Sequence, residues 1–328
     1  MEHPILEVTN LKKHYPIYEG LFKKQVATRE VVNGIDFAIA PGETVALVGE
    51  SGCGKTVLLR VLMGLEDATE GSIKLLGKET KEFTKQERKE AQKKIQMIFQ
   101  DSMSALHPRF TIQESLAEPL ILNGITDPAE IEKRVIEILH KVGLDADYRI
   151  RYPDSLSGGQ RQRVVIARAL IETPELLLAD EPISALDVSL QAQVLNLLMD
   201  LQEELHLSML FVAHDLAVVR QIANYIMIMY AGQILEAGPS SEIYYNAQHP
   251  YTKVLLESAP SISKGIKDSA FEINLKVGDT PDPTNLPSGC VFHTRCVYAD
   301  EHCTQCVPEK QFVADGHYVF CHKCKGKA

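Results

Sequence analysis

The sequence predicts an α/β fold: a parallel sheet flanked by helices, a helical subdomain inserted into it, and a small cysteine-rich domain at the end. Three observations predict it. Short β-branched apolar runs alternate with helix-length segments, a central stretch has apolar residues at three- and four-residue spacing, and cysteines crowd the C-terminal end.

The runs come first. Thr44-Val45-Ala46-Leu47-Val48 is apolar, ends in glycines, and is followed by Lys55 to Met63 without a breaker, which reads as strand, tight loop, helix. Leu176-Leu177-Leu178-Ala179 and Met209-Leu210-Phe211-Val212-Ala213 are similar runs, short enough for strands buried on both faces of a parallel sheet. From Thr111 to Arg151 the pattern becomes amphipathic, with Ile131, Val135, Ile138, Leu139 and Val142 on one helical face. This predicts an inserted helical subdomain at about residues 101–163. Pro281, Pro283 and Pro287 mark a stiff linker before the cysteine-rich tail. The expected domains are a nucleotide-binding domain over residues 1–240 and an extension over 241–328 with a cysteine-rich module at 288–328.

At 328 residues the chain is long enough for a large core and an appendage, and 45% hydrophobic with 24% charged residues is an ordinary globular profile. The net charge of −10 leaves no cationic stripe for a phosphodiester backbone, so nucleic acid is not expected as a partner. Met1 to Lys13 lacks a basic-then-apolar leader and no long apolar window occurs, which predicts a cytoplasmic chain whose membrane role runs through partners. Of the seven cysteines only Cys53 lies outside the tail, a distribution that suggests metal rather than disulfides.

Gly49-Glu50-Ser51-Gly52-Cys53-Gly54-Lys55-Thr56 follows the phosphate-loop pattern, placed between strand and helix as that pattern requires. Glycines let backbone N–H groups approach phosphate, the helix start adds partial positive charge, and Lys55 adds a full one. Thr56 is the expected magnesium ligand, and Cys53 reads as a small loop side chain open to alkylation. Asp180 and Glu181 follow a buried strand and would emerge beside the loop, Asp180 to hold magnesium through water and Glu181 to polarise the attacking water. Leu156-Ser157-Gly158-Gly159-Gln160 opens a long helix and forms a second anion-binding surface.

In this order, the phosphate loop, Gln100, Leu156 to Gln160, Asp180-Glu181, Ser184-Ala185-Leu186-Asp187 and His214 resemble the ABC ATPases over residues 1 to about 240. The resemblance implies a phosphate-loop (P-loop) NTPase core that works as a head-to-tail dimer. ATP on Lys55 of one protomer would be closed over by Ser157, Gly158, Gly159 and Gln160 of the other. It also implies that Gln100 touches magnesium and senses the γ-phosphate, that His214 orients the water, and that Tyr15 stacks on adenine. The stretch from Gly20 to Glu30 is expected to separate Tyr15 from the next strand. Val57 stands where the family commonly has a second hydroxyl.

Gln96 to Asp101, His249-Pro250-Tyr251-Thr252-Lys253 and Gly289-Cys290-Val291-Phe292-His293-Thr294-Arg295-Cys296 resemble the oligopeptide/dipeptide importer branch, specifically its F-type ATPase subunit. That resemblance implies pairing with a D-type ATPase subunit, two transmembrane permease subunits, an extracytoplasmic substrate-binding protein, and a peripheral position on the cytoplasmic face of the inner membrane. Di- or oligopeptide is the implied cargo; nickel, sugars and a soluble, non-transport ABC ATPase are the alternatives. Ser102-Met103 and His107 depart from the branch's usual residues. For the tail, the resemblance implies a [4Fe-4S] cluster on Cys290, Cys296, Cys303 and Cys321. The spacing of Cys303, Cys306, Cys321 and Cys324 alone reads as a zinc ribbon, and reduced thiols without metal remain open.

Overall fold

The computed structural model describes residues 3–20, 24–101, 104–258 and 280–324. The departure noted at Ser102-Met103 lies outside them. The chain divides into two compact units, one built mainly of Leu75–Val212, the other of Leu6–Ala38, Thr44–Lys74 and the chain from Ala213 onward.

The second unit opens with β1 (Leu6–Glu19), β2 (Lys24–Ile39), β3 (Thr44–Val48), α1 (Lys55–Leu62) and β4 (Glu70–Leu75). β1 lies between β2 and β4 in one sheet. The expected separator is shorter than it reads, because β2 already begins at Lys24. β3 and α1 fall where the sequence places them, and all five residues of β3 are buried.

The first unit carries β5 (Lys78–Glu79), α2 (Lys85–Lys94), β6 (Ile95–Ile98), α3 (Ile112–Leu122), α4 (Pro128–Lys141), α5 (Gly158–Leu170), β7 (Leu176–Asp180), α6 (Val188–Leu205) and β8 (Ser208–Ala213). β6, β7 and β8 are parallel, with Ile95 opposite Leu176 and Leu176 opposite Ser208. Burial of both faces explains why β7 and β8 read as unbroken apolar runs. α3, α4 and α5 pack on one another. Thr111 opens α3 with a reciprocal capping box to Glu114, and Asp127 caps α4 ahead of Pro128. Ile131, Val135, Ile138, Leu139 and Val142 are all buried, so the amphipathic period names the packed face correctly.

The second unit resumes with α7 (Leu216–Val219), β9 (Tyr225–Tyr230), β10 (Gln233–Pro239), α8 (Ser240–Tyr245), α9 (Pro250–Glu257), α10 (Glu301–Gln305), β11 (Lys310–Ala314) and β12 (His317–Phe320). β9 runs parallel to β3, and β9, β10, β12 and β11 then continue as an antiparallel series. The tail hairpin therefore extends the sheet that carries the phosphate loop. Among the described residues no helix is long and apolar enough to cross a membrane.

A buried polar knot fastens that hairpin. Glu236, fully buried on β10, accepts from His317 Nε2 of β12 at 2.8 Å and from the backbone N–H groups of Gln248 and His249 at 2.7 and 2.9 Å. Several donors on one carboxylate compensate its desolvation. His249 caps α9 by accepting from Tyr251 N at Nδ1, 3.0 Å away. Burial pulls its pKa down to about 4. The unfolded chain therefore binds a proton that the folded chain refuses, and stability falls as pH drops from about 6.5 towards 4. The full shift is worth about 3 kcal/mol. Urea denaturation across that window is expected to show this loss, with a flatter slope in His249→Asn, which caps without titrating.

Candidate functional site

β3 ends directly at the phosphate loop. A Cβ on Gly49 would lie 2.2 Å from the Met229 carbonyl oxygen. Gly54 has φ of 111° and its Cβ would lie 2.3 Å from the Val31 oxygen. Both positions accept glycine alone. α1 begins at Lys55 with Gly54 at its N-cap and no side-chain cap, so its first turn offers N–H groups to an anion. Lys55 is 5% exposed, and its ammonium donates to the carbonyl oxygens of Gly49 at 2.6 Å and Glu50 at 3.1 Å. Those bonds arch the loop around the cation. Thr56 and Val57 follow in the same first turn, both half-buried, while Ser51 and Gly52 are exposed. Cys53 corrects the expectation of alkylation: it is buried, and burial pushes its thiol up, away from the reactive thiolate.

Glu50 has its own partners. Its N–H donates to the Tyr251 hydroxyl at 3.1 Å, and its carboxylate accepts from Arg295 Nη1 at 2.8 and 3.0 Å. Both partner residues lie in stretches that resemble the importer branch, but spacing does not show that they reach the loop.

In the other unit, β7 delivers Asp180, 2% exposed, and Glu181 follows with φ of 46°. A non-glycine residue in the left-handed region stores strain, and here it turns the chain immediately after the buried strand. Glu181 N donates to the Val212 oxygen at 3.1 Å, and its carbonyl accepts from Ser184 N and Oγ at 3.2 and 3.0 Å. Its carboxylate accepts from Gln100 Nε2 at 3.2 Å. Two residues 81 positions apart are thus brought together. Asp187 caps α6 by accepting from Leu190 N and Ser189 Oγ, which holds its carboxyl below the usual range.

Ser157 caps α5 in a reciprocal capping box: its hydroxyl accepts from Gln160 N at 3.3 Å, and Gln160 Oε1 accepts from Ser157 N at 3.1 Å. Gln160 Nε2 also donates to the Tyr148 hydroxyl at 2.9 Å. The Ser-x-x-Gln spacing carried that signal in the sequence. Ser157 and Gly158 are exposed, whereas Gly159 packs on Leu190. His214 follows β8 and is exposed. Tyr15 on β1 is half-buried, donates its hydroxyl to Glu66 and carries the Lys13 ammonium 4.8 Å from its ring centroid.

Among the described residues, no group of three or more His, Cys, Asp or Glu side chains is arranged to hold a metal ion. Cys324 Sγ donates to the Gln248 carbonyl oxygen at 3.5 Å, and Cys303 N donates to Asp300 Oδ1 at 3.1 Å. Cys290, Cys296, Cys303 and Cys321 are buried, Cys306 is exposed and Cys324 half-buried. The structure supports a cysteine-rich region and stops short of a metal-binding domain.

Known proteins agree with this frame. Residues 32–184 match the ABC transporter family model, and residues 235–303 match the oligopeptide/dipeptide transporter C-terminal region. The oligopeptide transport ATP-binding protein AppF of Bacillus subtilis is 44% identical, with 98% of each chain covered. The di/tripeptide transport ATP-binding protein DppF of Pseudomonas aeruginosa is 43% identical, with 97% of each covered. Among solved structures, the ATP-binding cassette MJ0796, in a dimeric post-hydrolysis state bound to ADP and Pi, is 30% identical with a TM-score of 0.63, covering 72% of this chain and 98% of that one. The chain belongs to the ABC transporter family of ATP-binding proteins, in the branch that carries the oligopeptide/dipeptide transporter C-terminal region.

Proposed function

We propose that this chain is the ATP-hydrolysing subunit of an importer for di- and oligopeptides, seated on the cytoplasmic face of the membrane against two permease subunits. A binding protein outside the membrane would deliver the peptide. The observation that carries the ATPase reading is the buried Lys55 ammonium, held inside a glycine loop at the uncapped start of α1. The peptide reading rests on the relatives' names over nearly the full chain.

In this reading the loop from Gly49 to Val57 cradles the phosphates of ATP, Lys55 neutralises them, and Tyr15 offers the ring face opposite Lys13 to adenine. The donor set Thr56, Gln100 and Asp180 suits magnesium, a hard cation that takes oxygen ligands and would neutralise charge on the phosphates when bound. Glu181 takes the proton of the attacking water. The bond from Gln100 fixes that carboxylate's orientation before substrate arrives. His214 orients the water from the neighbouring strand end. Ser157 and the glycines after it close over the ATP of a second ATPase subunit, which we assign to the D-type partner of a heterodimer. In proteoliposomes holding both ATPase subunits and the permeases, peptide with its binding protein is expected to stimulate hydrolysis; stimulation by nickel or a sugar alone would defeat the peptide assignment.

For the tail, burial favours Cys290, Cys296, Cys303 and Cys321 as a [4Fe-4S] ligand set over the zinc-ribbon set, which needs the exposed Cys306. Protein purified without oxygen is expected to show visible absorbance that Cys296→Ser removes and Cys306→Ser keeps. Colourless protein carrying zinc would overturn this assignment.

A further inference from the structure

The C-terminal region reaches the phosphate loop at Glu50, and it does so twice, through the Tyr251 hydroxyl on the Glu50 N–H and through Arg295 on its carboxylate. A carboxylate inside an anion-binding loop repels the ligand that the loop is shaped to hold, so an unopposed Glu50 would weaken phosphate binding. Arg295 opposes it. Its side chain is 12% exposed against 30% for Glu50, a partly buried pair that salt screens less than a surface one. The same Nη1 lies 3.4 Å from the Tyr230 hydroxyl, and the guanidinium carbon lies 5.8 Å from the Tyr230 ring centroid. Below it, Phe292 is fully buried against Tyr230, Tyr251 and His249, with ring centroids 5.2, 5.3 and 5.5 Å away. Arg295 N donates to the Phe292 oxygen at 3.1 Å, so the anchored aromatic sets the position of the arginine.

We propose that Arg295 is a positioning residue of the nucleotide site: it neutralises Glu50 and holds the phosphate loop through that carboxylate. The Cys290–Cys296 segment is thereby tied to ATP affinity. The inference rests on the reading of this loop as the nucleotide site. Calorimetric titration with ATP on the full chain tests it, together with steady-state kinetics. Arg295→Ala is expected to weaken ATP binding about tenfold, with KM rising more than kcat falls. Glu50→Gln added to Arg295→Ala removes the unopposed charge and is expected to restore most of that loss, which also shows that the arginine variant is folded. Unchanged affinity in Arg295→Ala overturns the proposal. An equal loss in the double variant also overturns it, because packing alone would then account for the effect. A wild-type chain that binds no ATP overturns the reading of the loop itself.

Discussion

Glu181→Gln is expected to bind ATP normally and to lose hydrolysis by about 10²- to 10⁴-fold, the range set by loss of a general base. The glutamine keeps the shape and can keep the contact to Gln100, but it cannot take a proton. Its position makes the effect specific: the left-handed backbone at 181 and the Ser184 contacts to its carbonyl aim the side chain without help from its charge. Phosphate release at steady state, alongside nucleotide retained after gel filtration, measures both halves of the expectation. Hydrolysis at the wild-type rate would remove Glu181 from the role.

Lys55→Ala is expected to weaken ATP binding by about 10- to 100-fold, since charge-assisted hydrogen bonds of about 1.5–3 kcal/mol are lost. A second effect comes from the loop itself. The Lys55 ammonium bonds the carbonyls of Gly49 and Glu50, so its removal takes away the donor that both acceptors share. Lys55→Arg tests the geometry separately, because a planar guanidinium keeps the charge but does not fit a buried site shaped for a point cation. ATP affinity by calorimetry distinguishes the two variants.

Much of this was legible in the sequence wherever a local pattern has one physical solution. β3, β7 and β8 are apolar on both faces, and such runs have few alternatives once glycines or acids end them. The face of α4 followed from its period, and the phosphate loop from its glycines. β9 and β10 carry no motif, although Tyr225–Tyr230 is apolar, so their place in the sheet is not legible from the sequence. The antiparallel pairing of β12 on β10 comes with the Glu236–His317 contact across 81 residues, and no spacing shows either. The same holds for Gln100 on Glu181 and Arg295 on Glu50. Cysteine spacing suggests two ligand sets, and only the folded chain shows that Cys290, Cys296, Cys303 and Cys321 are buried while Cys306 is exposed.

The central claim is that one nucleotide is held by the lysine loop of one subunit and covered by the serine-glycine loop of another. Sedimentation of Glu181→Gln together with the second ATPase subunit tests it most directly. With ATP the pair is expected to run as a stable dimer that disperses without nucleotide and fails to form when Lys55→Ala is added. Two monomers at saturating, measurably bound ATP would contradict it.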